Sequence, residues 1–169
     1  MTPQKKVIIG IDPGTRVTGY GVIALTHRNP TPLDFGCIKP PPKSSLPRRY
    51  LIIFQALRSL LDLHKPIAIA IESQFVYKNV ASSSKLSMAK AVALIAAEER
   101  GIPIFEYSPR KAKQAVTGRG GANKTEVQKM VQRLLQLSHL PEPEDASDAL
   151  ALALCHAHTI KTSVLDSLS

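Results

Sequence analysis

A chain of 169 residues that is 44% hydrophobic and 21% charged lies near the averages for soluble globular proteins, which excludes fibrous and disordered classes. At this length one core burying roughly 70% of the unfolded surface is expected, and neither a second domain nor an internal repeat is indicated. The net charge of +9, with a pI near 9.8, favours a polyanionic partner.

The first apolar run, Val7 to Ile11, stops at Asp12 and is too short for a signal peptide or membrane span, so the protein is expected to stay in the cytosol. It reads as a strand ending in Asp12-Pro13-Gly14, where Pro presets a turn and Gly permits positive φ. Thr18 to Leu25 alternates as a second strand, and Leu33 to Lys39 forms a third, giving three antiparallel strands. After the loop around Pro40 to Ser45, Leu46 to Leu63 carries Leu57, Leu60 and Leu61 at helical spacing. Ile67 to Ile71 is an all-apolar central strand whose carboxyl end is marked by Glu72.

Ser82 to Arg100 is an Ala-rich helix closed by Gly101, with an apolar surface broad enough to face a partner subunit. Ile102 to Tyr107 is the fifth strand. Ser108-Pro109 then supplies an N-cap and a first-turn Pro, and Asn123-x-x-Glu126 resembles a capping box opening a helix to about Leu135. Glu144 to His158 is the last long helix, and residues from Thr162 are expected to fray. The order βββαβαβαα places a mixed sheet between helical layers.

The basic charge is concentrated. Seven cations between Ser108 and Arg133, against the single acid Glu126, hold +6 of the total +9, a patch that would bind phosphates by counterion release. A solvated basic face would look the same. Cys37 and Cys155 are far apart and lack metal or redox spacing, and both are expected to be reduced and buried.

Four acids stand out by position. Asp12 alone could serve its turn, Glu72 could be an exposed strand end, and Asp145 with Asp148, at i and i+3, could simply complement a helix amino end. Together they place two strand ends and one helix face in reach of a common cleft, where sites in such sheets gather. Four unpaired carboxylates repel, and hard divalent cations such as Mg²⁺ resolve that repulsion with oxygen ligands. Two such ions support in-line hydrolysis of a phosphodiester. No His or Cys spacing suggests zinc.

Gly10-Ile11-Asp12-Pro13-Gly14-Thr15-Arg16-Val17-Thr18-Gly19-Tyr20-Gly21-Val22 resembles the first-strand signature of the RuvC family of Holliday-junction resolvases. Ile71-Glu72-x-x-Phe75, Phe105-Glu106-Tyr107 and Asp145-x-x-Asp148-Ala149-Leu150 follow in the family's order, so the likeness covers nearly the whole chain. The resemblance implies an α/β, ribonuclease H-like fold with a mixed five-stranded sheet flanked by helices. It implies one nuclease domain over residues 1–169, ordered at about 5–160, that nicks junctions symmetrically in homologous recombination and DNA repair.

By position it implies that Asp12, Glu72, Asp145 and Asp148 are catalytic and bind Mg²⁺, two ions per subunit, with Mn²⁺ able to substitute. Phe75 would stack at the branch point, and Lys113 and Lys124 would lie near the cleaved phosphate. A homodimer and the RuvA and RuvB branch-migration complex are the implied partners.

Three other readings compete. Gly10-Ile11-Asp12-x-Gly14-Thr15 also resembles the phosphate loop of actin-like and Hsp70-like ATPases, but those need two such domains. A DNA-binding module without catalysis would use the basic segment alone, although four acids beside DNA would weaken it. A nuclease for RNA or ordinary duplex would share the metal chemistry.

Overall fold

The structure is a computed structural model that describes residues 5–26, 29–73 and 79–166. Its elements are β1 (Lys6–Asp12), β2 (Thr18–Leu25), β3 (Thr31–Ile38), α1 (Leu46–His64), β4 (Ala68–Glu72), α2 (Val80–Glu98), β5 (Ile104–Tyr107), α3 (Pro109–Thr117), α4 (Lys124–Leu134) and α5 (Glu144–Asp166). The five strands form one mixed sheet in the order β3-β2-β1-β4-β5, antiparallel across β1, β2 and β3 and parallel from β1 through β4 to β5. The observed order ends in three helices where βββαβαβαα writes two; they begin at the three places read from the sequence, Ser108-Pro109, Asn123 and Glu144, with the basic segment broken at Gly118 (φ 78) into α3 and α4.

Strand parity decides which residues meet which helices. Val7, Ile9 and Ile11 of β1 and Ile69 and Ile71 of β4 point to one face, where Ile53, Leu57 and Leu61 of α1 and Ala93, Ala96 and Ala97 of α2 cover them. Ile8 points to the other face, which α3, α4 and α5 cover through Val116, Val127, Val131, Leu150 and Leu154. Ala70 shares that second face with Leu152 and Cys155 of α5. Asp12 has the parity of Ile8, and Glu72 that of Ala70. Both acids therefore leave the sheet on the side of α5.

The α5 helix lies against β1 and β2 with little space between. A Cβ on Gly10 would fall 1.8 Å from the carbonyl oxygen of Ala149, and one on Gly19 would fall 2.1 Å from that of Asp145. Only glycine lets the helix backbone approach the sheet this closely, and that approach sets the height of the α5 amino end over β1.

Local signals explain the boundaries. β3 starts at Thr31, two residues earlier than its alternation predicts, because Pro32 is tolerated on an edge strand. α2 starts at Val80, where the Asn79 side chain accepts from the Ser82 amide at 3.3 Å. Ser108 caps α3, and Asn123 and Glu126 form the reciprocal capping box of α4. α5 continues to Asp166, past the expected fraying point at Thr162. Cys155 is buried and free as expected, whereas Cys37 is free but only half-buried, because it sits on the edge strand β3.

α2 buries four alanines against the core and leaves Val80, Met88 and Ile95 exposed. By length and composition it could also cross a bilayer.

Candidate active site

The carboxyl ends of β1 and β4, the amino end of α5 and the helices α3 and α4 enclose a cavity of about 340 Å³. Asp12, Glu72, Asp145, Asp148, Lys113 and Lys124 all line it. Asp12 and Glu72 arrive as the last residues of neighbouring parallel strands, and the register Ile11↔Ile71 sets them side by side. Asp145 and Asp148 stand one turn apart on α5, whose amino end tolerates negative charge. Lys124 is the first helical residue after the Asn123 cap, so the capping box fixes where its stem leaves α4.

The electrostatics are those of a site short of positive charge. Asp12 is pushed from 3.8 up to about 8, first by burial and then by the charges of Glu72, Asp148 and Asp145, against a smaller lowering by Lys124. Burial also raises Glu72, followed by the charge of Asp148, while Lys113 and Lys124 pull it down. Asp148 is raised by burial too, with Lys124 opposing. These groups feel one another across the same cleft.

Hard oxygen donors from three elements, partly desolvated and mutually repelling, suit a divalent cation of the Mg²⁺ type. The lining is open rather than a finished cage. Among the described residues no three acid, His or Cys side chains stand close enough together to hold a metal ion unaided, and Mg²⁺ ordinarily keeps several waters of its own. The residues present fit such an ion, with water completing the sphere.

Two neighbours escape a reading of sequence alone. Glu144 joins the rim by an ion pair with Lys124 at 2.9 Å, and the proximity of that pair across twenty residues has no local signature. Cys37 lies close enough for the Asp145 charge, after burial, to raise its thiol pKa. Phe75, expected at a DNA branch point, lies outside the described residues.

The family model described as crossover junction endodeoxyribonuclease RuvC matches residues 8–156. A relative of that name from Protochlamydia amoebophila is 56% identical over 151 residues, covering 89% of this chain and 90% of the relative. Among solved structures, RuvC from Thermus thermophilus superimposes with a TM-score of 0.85 at 35% identity, covering 93% of this chain and 96% of that one. The same protein in complex with a Holliday junction substrate gives a TM-score of 0.88 at 35% identity, covering 94% and 96%. At 14% identity, a yeast mitochondrial Holliday junction resolvase still shares the fold, with a TM-score of 0.62.

Proposed function

The chain belongs to the crossover junction endodeoxyribonuclease RuvC family, and on that premise we propose that it resolves Holliday junctions by cutting DNA phosphodiesters in the cleft between β1, β4 and α5. The family's enzymes are metal-dependent nucleases that serve recombination and repair. The observation that carries the assignment to this cleft is the meeting of Asp12, Glu72, Asp145 and Asp148 around one cavity, with the Asp12 pKa pushed up to about 8, first by burial and then by the other carboxylates.

Asp12, Glu72, Asp145 and Asp148 would hold Mg²⁺, two ions per subunit, for which Mn²⁺ would substitute. When bound, such ions would supply the positive charge that an in-line phosphodiester hydrolysis needs. The protein's own groups do the rest. Asp12 and Glu72, fixed on adjacent strand ends, set the floor of the cleft, and Asp145 and Asp148 close it from α5 and orient the water. Lys113 and Lys124 neutralise the non-bridging oxygens of the scissile phosphate. The bond from phosphorus to the 3′ oxygen breaks while the water oxygen stays on phosphorus, leaving 5′-phosphate and 3′-hydroxyl ends. Phe75 stacks on bases at the branch point.

The chain acts in the cytoplasm as one nuclease domain over residues 1–169, with RuvA and RuvB as its branch-migration partners. Two copies pair, because a four-way junction presents two-fold related strands to be nicked together. The exposed Val80, Met88 and Ile95 of α2 give that pairing an apolar face. A monomeric mass at micromolar protein would contradict it.

The test is a synthetic four-way junction incubated with protein and Mg²⁺ beside a linear duplex of matched sequence. Symmetric nicking of the junction alone is expected. Efficient cutting of duplex or of an RNA hybrid would keep the carboxylate chemistry and overturn the substrate.

A further inference from the structure

A second groove, of about 520 Å³, shares no lining residue with the carboxylate cleft. Thr15 and Arg16 of that turn, Ser44 and Arg49 at the start of α1, and Ser82 and Lys85 at the start of α2 line it, and no acid does. The sequence around it is equally one-sided. Residues 35–61 carry Lys39, Lys43, Arg48, Arg49 and Arg58 without an acid, and residues 73–97 carry Lys78, Lys85 and Lys90 without one.

The cations of this groove are available. The Arg49 guanidinium is anchored by backbone carbonyls, donating from Nε to Ser44 at 3.0 Å and from Nη2 to Pro42, which orients its charge without neutralising it. Among the described residues no ion pair engages Arg16 or Lys85, whereas nearby cations outside the groove are paired: Arg58 with Glu99, Lys90 with Glu106, Arg100 with Asp62. The first turns of α1 and α2 contain no acid, so their backbone amides add to the same potential. Three cations beside three hydroxyl donors, with no opposing carboxylate, suit the phosphates of a polyanion.

Position says which polyanion. Thr15 is three residues beyond Asp12, so the chain separates groove and cleft by at most about 10 Å, a span of about three nucleotide steps. Yet α1 and α2 cover one face of the sheet, while the basic α3 and α4 cover the other. Two basic surfaces on opposite faces, meeting at the catalytic end of β1, fit DNA whose arms diverge there.

We propose that the groove of Arg16, Arg49 and Lys85 is a second backbone-binding site, holding the phosphates of a junction arm other than the one cut. The proposal rests on the junction-nuclease reading, and it makes this groove a source of preference for branched over linear DNA.

The test measures binding of a four-way junction and of linear duplex from 50 to 200 mM salt, in an Asp12→Asn background that prevents cutting. It compares this parent with the same protein carrying Arg16→Ala and Lys85→Ala. A control carrying Lys5→Ala and Lys6→Ala removes equal charge at the opposite end of β1. Loss of two phosphate contacts should make the junction salt slope shallower by about two and raise Kd about tenfold at 100 mM salt, with a smaller change for duplex. The control should behave as the parent, and Arg16→Lys with Lys85→Arg should restore the slope. A parent that fails to bind junctions overturns the resolvase reading and this site with it. A parent that binds, with the groove variant matching the Lys5 and Lys6 control, overturns the site alone.

Discussion

Lys124 on α4 is tied to Glu144 on α5, with Nζ 2.9 Å from a carboxylate oxygen at the rim of the cleft. Glu144 is also the first cause of the raised Lys124 pKa. The pair parks the lysine where a phosphate must compete with a carboxylate for it. Glu144→Gln should therefore tighten junction binding by about two- to fivefold, the worth of an exposed ion pair, and leave kcat nearly unchanged. A loss of kcat at constant KM, in steady-state nicking assays, would mean instead that the carboxylate positions Lys124 for the chemical step.

The state of Asp12 makes stability depend on pH. Its carboxyl holds a proton up to about pH 8 in the fold but only to 3.8 when unperturbed. Between those values the unfolded chain has released a proton that the folded chain keeps, so in metal-free buffer stability should fall as pH rises from about 4 to about 8. Thermal melts in EDTA at pH 5 and pH 8 measure this fall. Asp12→Asn should flatten it, and Mg²⁺ at pH 8 should recover stability in the parent alone. Equal pH profiles for parent and variant would contradict the desolvated cluster.

Gly10 sets the seat of α5. A methyl group there meets the Ala149 carbonyl at 1.8 Å, so Gly10→Ala must push the helix, and with it Asp145 and Asp148, away from β1. Destabilisation by about 3 kcal/mol is expected, with nicking lost more steeply than junction binding. A variant with the parental denaturation midpoint and activity would show that the helix accommodates the methyl group without moving.

A buried ring on the same helix responds to acid. His156 Nδ1 lies 2.6 Å from the Tyr107 hydroxyl, its ring stacks on Phe105 at 4.2 Å, and burial lowers its pKa below 6.5. The unfolded chain then binds the proton first, so this contribution to stability is present above about pH 6.5 and lost as pH falls below it. Tyr107→Phe, which leaves the ring nitrogen unpaired, should cost about 1–3 kcal/mol at pH 7.5, read by denaturant unfolding. No change would mean that the hydroxyl contributes nothing.

Much of this was legible in the sequence because the relevant signals are local. The apolar run ending in Asp12, the run ending in Glu72, the Asn123 and Glu126 capping box and the i, i+3 acids of α5 each announce an element and a position within it. Strand parity then turns Asp12 and Glu72 towards α5 without further information. What the sequence concealed is non-local. The pairing of Lys124 with Glu144, the burial of His156 under Tyr107, and the meeting of Arg16, Arg49 and Lys85 in one groove depend on how elements distant in the chain pack. The second basic surface lacks the local density of the cations between Ser108 and Arg133: its charges are spread over seventy residues and become a cluster only in the fold.

The central claim is that these four acids, and not the basic surface alone, make the chain a junction nuclease. The direct measurement follows Asp12→Asn beside the parent on a four-way junction with Mg²⁺, scoring binding and strand breakage in the same samples. The account predicts symmetric nicks with 5′-phosphate ends from the parent, and from the variant undiminished binding with nicking reduced by at least about a hundredfold. Nicking by the variant at the parental rate would place the chemistry elsewhere in the molecule.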